Sequence, residues 1–321
     1  MTRTGAATIR FSRWAGDIDE GLVFFSFLIE PIINKKLILV VDPEIDVDIE
    51  ISSVYGDPGP TDLISKIARL IHANTPGGVP FGSWAKGFNL QPNKKARVNI
   101  FFTGENERPP FGDWDAYLSF DLHDYDGKNA YLPLWWITCT DIAGERSAPY
   151  LDAPITVETL LKSRKVEFSK RKKFCAAFIG KAYPFRMQSL NAISKIERVE
   201  VFGVIARKNV KSKFEASKKF RFVFAFENDL DPGYVTEKVI EAWATGAIPL
   251  YWGTDPMGYI NPAAIINLAE FESLTEFVEY LSKVNSTPQL WESIASQPIL
   301  LKAPDLSEVN KVLKRALRVL T

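Results

Sequence analysis

The sequence is poor in the side chains that most often build zinc sites, disulfides and catalytic triads. It contains two histidines, His72 and His123, and two cysteines, Cys139 and Cys175. So small a stock favours neither a multi-histidine zinc site nor a Ser-His-Asp triad. Both cysteines lie in apolar, strand-like runs, which predicts buried thiols in a reducing compartment and not a disulfide framework.

Charge imbalance and long apolar runs are absent as well. The 39 basic and 39 acidic residues cancel, which argues against a nucleic-acid-binding protein, since phosphate contacts usually require a basic surplus. No run of about 18 apolar residues occurs, as a membrane span requires, and residues 1–14 lack the apolar core of a secretory signal. We therefore expect a cytoplasmic protein.

The last predicted helix, residues 306–320, leaves two interpretations open. It carries Lys311, Lys314, Arg315 and Arg318 beside a set of apolar residues. Such a helix either packs on the protein with a basic outer face or makes weak peripheral contact with the inner face of an anionic membrane.

What is present is the pattern of an α/β protein. The chain has 321 residues, of which 46% are hydrophobic and 24% charged, as expected for two globular domains of roughly 150 residues each. Short apolar runs alternate with amphipathic stretches, which is typical of parallel sheets covered by helices. We place an N-terminal domain at residues 1–155, a basic linker at 156–173 and a C-terminal domain at 174–321. The main predicted strands are residues 36–41, 48–54, 98–103, 173–180, 199–203, 220–227 and 247–252.

Residues 222–238 (FVFAFENDLDPGYVTEK) combine a buried strand, a polar turn and a predicted helix that begins near Tyr234. The free N–H groups and the dipole of a helix N-terminus attract phosphate, and Lys238 adds a full positive charge. Glu237 is an acceptor of the kind that binds ribose hydroxyls. The pattern indicates a nucleoside diphosphate site, although an ordinary helix N-terminus with a surface Glu–Lys pair explains it equally well.

This segment resembles the signature of the α-1,3-fucosyltransferases (glycosyltransferase family 10), in which a strand ending in FEN leads to YVTEK. Residues 247–253 (AIPLYWG) resemble the strand that follows in that family. The resemblance implies a GT-B fold, with two Rossmann-like domains facing each other across a cleft, an inverting mechanism and GDP-β-L-fucose as the donor. It also implies the donor-binding residues, which are Arg186, Asn228, Tyr234, Glu237 and Lys238.

Residues 98–108 (VNIFFTGENER) place a second candidate motif in the first half of the chain. A loop glutamate after a strand is usually structural. However, an inverting transferase needs a base to accept the proton of the attacking hydroxyl, and carboxylates commonly fill that role. The fucosyltransferases carry a similar GEN…RP segment, so the resemblance implies that Glu105 is the catalytic base. The acceptor-side candidates are Asn106, Arg108 and Trp114.

No metal or cofactor is expected beyond the GDP-fucose substrate. Residues 121–126 contain a D-x-D pattern that could suit a divalent cation, but the family does not depend on such a motif, and we predict a turn of solvated acids. Residues 61–93 resemble an insertion, which leaves the acceptor open among oligosaccharides, glycolipids and lipopolysaccharides.

The predicted function is transfer of L-fucose to a glycan hydroxyl, with an α-1,3 linkage to N-acetylglucosamine or glucose of a galactose-containing acceptor. Three alternatives remain at this stage. They are a transferase of the same fold that uses another GDP-sugar, a non-catalytic carbohydrate-binding module, and an inactive relative that binds nucleotide.

Overall fold

The computed structural model describes residues 5–14, 18–55, 90–110, 112–139 and 155–321. The chain divides into two compact units, Met1–Leu134 with Asp305–Thr321, and Trp135–Pro304. Most of the predicted insertion, residues 61–89, lies outside the described residues.

The first unit is built on a six-stranded parallel sheet in the order β2-β1-β3-β4-β5-β6. Its elements are β1 Ala6–Ser12, α1 Ile18–Ile33, β2 Lys36–Leu39, β3 Val47–Ser52, β4 Ala96–Phe102, β5 Ala116–Ser119 and β6 Asn129–Tyr131. Ile49 of β3 pairs with Ile9 on one side and Val98 on the other. All three residues are fully buried, as expected for central strands of a parallel sheet.

The second unit is built on a five-stranded parallel sheet in the order β11-β10-β9-β7-β8. Its elements are α2 Val157–Leu160, β7 Lys173–Phe178, α3 Pro184–Ile193, β8 Val199–Phe202, α4 Lys213–Ser217, β9 Phe220–Phe226, α5 Lys238–Ala244, β10 Ile248–Trp252, β11 Ile266–Asn267, α6 Leu274–Ser286 and α7 Pro288–Ala295. Side chains of β9 alternate between two buried clusters, with Phe222, Phe224 and Phe226 in one and Val223 and Ala225 in the other. The seven strands predicted from the sequence are all present, with ends shifted by at most two residues.

The basic stretch at 156–173 is part of the second unit and not a free linker. Arg164 stacks on the Trp243 ring at 3.9 Å and donates to the Trp243 carbonyl. Arg171 donates to the Thr245 carbonyl at 2.8 Å. These carbonyls lie at the C-terminal end of α5, where backbone acceptors lack helical partners and cations are favoured. Burial lowers the pKa of Arg164 to about 9. Arg164 and Arg171 of the predicted linker therefore pack against the end of α5.

The final helix, α8 Ser307–Leu317, belongs to the first unit, where it packs against α1, β5 and β6. We expected it to close the C-terminal domain. Its buried face includes Val312 and Leu313, and Arg315 on its outer face donates to the Asp126 carbonyl at 2.9 Å. The apolar face thus covers β5 and β6 of the first sheet, and the basic residues are exposed. In the described part of the chain, no helix is long and apolar enough to span a membrane.

Candidate functional site

The loop after β9 folds into turns before α5 begins. Tyr234 N donates to the Asp231 carbonyl at 3.0 Å, and Val235 N to the Gly233 carbonyl at 2.9 Å. Gly233 has φ +88°, a left-handed conformation that glycine adopts most readily. These turns extend to Val235, and Thr236 N donates to the Glu227 side chain. The helix α5 therefore begins at Lys238, whereas the sequence predicted a start near Tyr234. The turns place Glu237 and Lys238 at the helix N-terminus.

Lys238 is held by a buried carboxylate that the sequence did not single out. Its Nζ donates to Glu227 Oε2 at 3.1 Å and to Thr236 Oγ1 at 2.8 Å. Glu227 is 0% exposed and also accepts from Thr236 N and Thr236 Oγ1, both at 2.8 Å, and from the Tyr251 hydroxyl at 3.5 Å. A lysine ammonium has three donors, so one N–H of Lys238 is left for a ligand.

The charges of this pair depend on each other. Burial opposes the charge of Lys238, but attraction to Glu227 and Glu237 outweighs burial and raises its pKa. Burial also raises the pKa of Glu227, against the opposing effects of Lys238 and Thr236. The raised pKa of Lys238 requires a charged Glu227, whereas the raised pKa of Glu227 favours the neutral carboxyl. We favour the ionised pair, because a carboxylate offers only acceptors and every contact made to Glu227 comes from a donor.

Arg186 and Asn228 lie together in the same unit. Arg186, in the first turn of α3, donates through Nη1 to Asn228 Oδ1 at 2.7 Å. The residue is only 5% exposed, and its Nε has no hydrogen-bond partner in the described structure. Burial lowers the pKa of Arg186, while Glu227, Tyr183 and Tyr234 act in the opposite direction. A buried guanidinium with an unused donor is well suited to a phosphate oxygen.

The structure thus brings together the residues predicted to bind the donor. Arg186, Glu237 and Lys238 line one pocket, and Asn228 adjoins it through its bond to Arg186. Tyr234 is 2% exposed, so it supports this region from within. Their assignment as donor-binding residues stays a prediction, but the structure shows that they lie close together.

Glu105 follows β4 in the first unit, in a loop fixed by short contacts. The Tyr55 hydroxyl donates to Glu105 Oε1 at 2.8 Å, and Glu105 N donates to Thr103 Oγ1 at 3.1 Å. A Cβ at Gly104 would lie 2.8 Å from Leu134 Cδ1, so a larger residue there would require the Leu134 side chain to move. Glu105 is half-buried, and Oε2 makes no hydrogen bond to another described residue. The geometry leaves one carboxylate oxygen available to accept a proton.

The acceptor-side candidates have different environments. Trp114 is 0% exposed and packs edge-on against Phe101, with ring centroids 5.9 Å apart. Its ring is part of the core and offers no exposed face, so an acceptor-side role for Trp114 stays a prediction that would require indirect action. Arg108 pairs with Asp121 at 3.3 Å, and Asn106 is half-buried. Roles for these two residues stay predictions.

The acid-rich turn at 121–126 is less solvated than expected. Asp121 accepts from the Tyr125 hydroxyl at 2.7 Å in addition to its pair with Arg108, whereas Asp124 and Asp126 are exposed. Burial, followed by the bond to Asp121, raises the pKa of Tyr125. Within the described ranges, no group of three or more His, Cys, Asp or Glu side chains is placed to hold a metal ion.

Comparisons with known proteins agree with the motifs. Residues 168–294 match the family model for glycosyltransferase family 10 (fucosyltransferase) C-term, so the predicted resemblance is confirmed for this part of the chain. Alpha-(1,3)-fucosyltransferase FucT of Helicobacter pylori is 28% identical over 232 residues, which are 65% of this chain and 48% of that protein. The 4-galactosyl-N-acetylglucosaminide 3-alpha-L-fucosyltransferase 9 of Mus musculus is 28% identical over 113 residues, 34% of this chain and 32% of that protein. The chain therefore spans about half or less of these relatives.

Solved structures show a similar fold. A crystal structure of alpha1,3-fucosyltransferase matches with a TM-score of 0.65 at 20% identity, over 100% of this chain and 92% of that one. A crystal structure of alpha1,3-fucosyltransferase with GDP-fucose matches with a TM-score of 0.63 at 20% identity, with the same coverage. The predicted fold class, α/β of the GT-B type, is confirmed by this likeness.

Proposed function

We propose that the chain is a glycosyltransferase that moves L-fucose from GDP-β-L-fucose to a hydroxyl of an acceptor glycan, with inversion at the anomeric carbon. The match of residues 168–294 to the glycosyltransferase family 10 model and the likeness to a structure determined with GDP-fucose support this proposal. The observation that carries it is the grouping of Arg186, Glu237 and Lys238 around one pocket, at the end of the strands where ligands of parallel sheets bind.

The cations of this pocket would stabilise the leaving group. As the glycosidic bond breaks, negative charge accumulates on the diphosphate of GDP. Arg186 Nε and the remaining N–H of Lys238 are preorganised donors in a partly buried site, where such interactions are stronger than in water. Glu237 would accept from the ribose hydroxyls. Asn228 and Tyr234 would position the guanidinium of Arg186.

Glu105 would act as the base for the acceptor. Tyr55 fixes one carboxylate oxygen, so the other can take the proton of the attacking hydroxyl while that oxygen bonds to the anomeric carbon. Positioned carboxylate bases typically contribute about 10²–10⁴-fold to the rate. The proposal requires no metal ion or further cofactor, because Arg186 and Lys238 would neutralise the charge that develops on the diphosphate.

The finer parts of the proposal are the linkage and the acceptor. The names of the two relatives, an alpha-(1,3)-fucosyltransferase and a 4-galactosyl-N-acetylglucosaminide 3-alpha-L-fucosyltransferase, support the proposal of an α-1,3 bond to N-acetylglucosamine. Glucose is the alternative acceptor sugar proposed from the sequence. Asn106 and Arg108 are the proposed acceptor-side residues. The acceptor is proposed to be an oligosaccharide, glycolipid or lipopolysaccharide. The cytoplasmic location and a weak contact of α8 with a membrane stay predictions from the sequence.

Glu105→Gln tests the catalytic assignment. The variant keeps the shape of the side chain but cannot accept the proton, so transfer should fall about 10²–10⁴-fold while GDP affinity stays within twofold of wild type. Initial rates with GDP-fucose and galactose/N-acetylglucosamine disaccharides, product masses and the anomeric configuration by NMR measure the first result, and calorimetry the second. Glu279→Gln, an exposed change of the same charge on α6, is the matched control.

Several outcomes would contradict the proposal. Transfer that persists in Glu105→Gln removes Glu105 as the base. Use of GDP-mannose in preference to GDP-fucose would support the alternative of another GDP-sugar. GDP binding by the wild-type protein, with no turnover on any acceptor of the panel, would support an inactive relative.

A further inference from the structure

The first sheet ends at a strand with one unpaired side. β2 is the terminal strand in the order β2-β1-β3-β4-β5-β6, so no strand of the described chain lies beyond it. The N–H groups of Lys36 and Val40 donate to carbonyl oxygens before and within β1, at 3.1 and 2.8 Å. Because the backbone groups of a strand point alternately to its two sides, those of Leu37, Leu39 and Val41 point away from β1. An open edge of this kind can pair with a strand of another chain.

Apolar side chains are exposed along this edge. Ile38 is 52% exposed and Val41 is 74% exposed. Phe27 of α1 and Ile45 of the loop after β2 are exposed as well. Phe27 lies three residues before Glu30, which accepts from the backbone of β2 at 2.9 Å, so both side chains lie on the side of α1 that flanks the edge. Neighbouring exposed apolar residues of this kind mark a surface that binds another protein.

The charges at the two ends of this strand are complementary to each other. Residues 35–46 read KKLILVVDPEID, with cations first, an apolar run in the middle and acids last. If two copies pair antiparallel with Leu39 opposite Leu39, Lys36 of each copy lies directly opposite Asp42 of the other, and the apolar runs face each other. Opposite charges in this position stabilise an antiparallel pair, and like charges destabilise it. A parallel pair would place cations against cations.

The backbone hydrogen bonds fit the same register. Leu39 N of each copy donates to the Leu39 carbonyl of the other, and Val41 N of each copy donates to the Leu37 carbonyl of the other. Leu37 N stays bonded to Glu30 Oε1, at 2.9 Å, so Glu30 keeps its contact with β2. The pairing therefore uses the donors and acceptors that point away from β1.

We propose that β2 pairs antiparallel with β2 of a second copy of this chain, which joins the two sheets into one about a twofold axis at Leu39. The interface is isologous, with the same residues on both sides. A second copy is the partner that the charges select, because one strand supplies both halves of the Lys36–Asp42 pattern. Glu105 follows β4, three strands from β2, which is about 14 Å at the usual strand spacing. The dimer therefore leaves the catalytic loop open.

Sedimentation equilibrium of the full chain over a dilution series tests the dimer. Wild type should be a dimer that dissociates on dilution. Val41→Lys replaces a buried valine in both copies, and each loss is worth about tenfold, so the dimer Kd should rise about 100-fold. Val204→Lys, at a 73% exposed valine of the second unit, is the matched control and should leave Kd within about twofold. A wild type that stays monomeric at its highest soluble concentration overturns the proposal.

Charge reversal tests the register. Lys36→Glu and Asp42→Lys should each raise Kd about tenfold, because each places like charges opposite each other at two symmetric positions. The double variant restores opposite charges with the signs exchanged, so its Kd should return to within about threefold of wild type. Thermal melts show that each variant is folded. A double variant that dimerises more weakly than both single variants overturns the register.

Oxidative cross-linking of single-cysteine variants locates the twofold axis. The two native cysteines are buried and should not react. Leu39→Cys places two thiols on a directly opposed pair with Cα atoms about 5.5 Å apart, within the range of a disulfide, and should form a covalent dimer. Val41→Cys is more exposed, but its two copies lie about 14 Å apart and should not cross-link. Cross-linking of Val41→Cys without that of Leu39→Cys overturns the proposed pairing.

Transfer rates separate this inference from the proposed function. Monomeric Val41→Lys should keep the wild-type rate per subunit within about twofold, because the catalytic loop lies three strands away. A wild type that forms the Leu39→Cys cross-link in its cysteine variant but transfers no fucose would support the interface and contradict the proposed function. A wild type that transfers fucose as a monomer at every concentration would support the function and contradict the interface.

Discussion

Glu227→Gln is the substitution that most directly tests how the donor pocket is held together. The wild-type carboxylate lies at the end of β9 and receives hydrogen bonds from Thr236 N, Thr236 Oγ1, Lys238 Nζ and Tyr251 OH. Glutamine has nearly the same shape but carries no charge, and its amide nitrogen is a donor. In either orientation of the amide, that nitrogen faces a group that also donates. The variant therefore loses the ion pair and at least one hydrogen bond.

The expected cost follows from burial. Glu227 is fully buried and the Lys238 side chain is 24% exposed, so solvent screens the pair only partly. Removing one partner of a buried ion pair costs about 3–5 kcal/mol, and we expect about 3 kcal/mol, because Lys238 keeps Thr236 and some contact with water. The second unit, residues 135–304, has roughly 170 residues, for which each kcal/mol lowers the Tm by about 2–4 °C. The Tm should therefore fall by about 6–12 °C.

Thermal and urea unfolding at pH 7 measure the stability, and calorimetry with GDP measures the pocket. GDP affinity should fall about tenfold, the equivalent of 1.4 kcal/mol, because Lys238 is no longer fixed. Tyr251→Phe is an informative companion, since it removes only the 3.5 Å contact and should cost less than about 1 kcal/mol. A Glu227→Gln protein as stable as wild type would refute the ion pair. A large loss of Tm with unchanged GDP affinity would refute its role in orienting Lys238.

Two further predictions concern the catalytic loop and the pH dependence of stability. Tyr55→Phe removes the 2.8 Å bond to Glu105, so kcat should fall about tenfold with unchanged GDP affinity; initial rates that equal wild type would contradict it. Glu241 has a folded-state pKa of about 7 against 4.5 when unfolded. Its favourable contribution is therefore complete below pH 4.5 and lost as the pH rises to about 7, by at most about 3 kcal/mol. Urea unfolding at pH 5 and pH 8 should show this loss in wild type and not in Glu241→Gln.

The sequence predicted seven of the eleven described strands from apolar or alternating runs, and it missed β5, β6, β11 and β1. The reason is clearest for β1. That strand contains Arg10, and a charged side chain argues against a buried strand unless its charge is paired. In the structure Arg10 donates to Glu50 of β3 at 2.6 Å, and both side chains are about 5% exposed. Glu50 is 40 residues away from Arg10 in the sequence, so no local pattern indicates that the charge of Arg10 is neutralised. Long sequence separation also explains why residues 156–173 were predicted to be a linker. The carbonyl acceptors of Arg164 and Arg171 lie at the end of α5, far along the chain.

The residues of the donor pocket were also predicted only in part. The residue types and their place at a helix N-terminus indicated Glu237 and Lys238, and the resemblance to the fucosyltransferases added Arg186, Asn228 and Tyr234. The sequence did not identify Glu227, although that residue lies in the same motif. A glutamate at the end of an apolar strand can face water or the interior, and only the turn at Gly233, which returns Thr236 and Lys238 to β9, decides between them.

The unused hydrogen-bond donors and acceptors of the pocket indicate its ligand more specifically than the net charge of the pocket does. Glu227 is satisfied by the protein itself, so it serves the fold. The unused acceptors are Glu237 and Glu241, one turn apart on α5, and the unused donors are Arg186 Nε and one N–H of Lys238. Glu237 has only a distant ion pair with Lys238, at 3.8 Å, so a simple anion would repel both acids and leave Glu241 without a partner, and a cation would face the buried guanidinium. A molecule with donors along one part and phosphate oxygens along another satisfies all four groups, and a guanosine diphosphate has that arrangement.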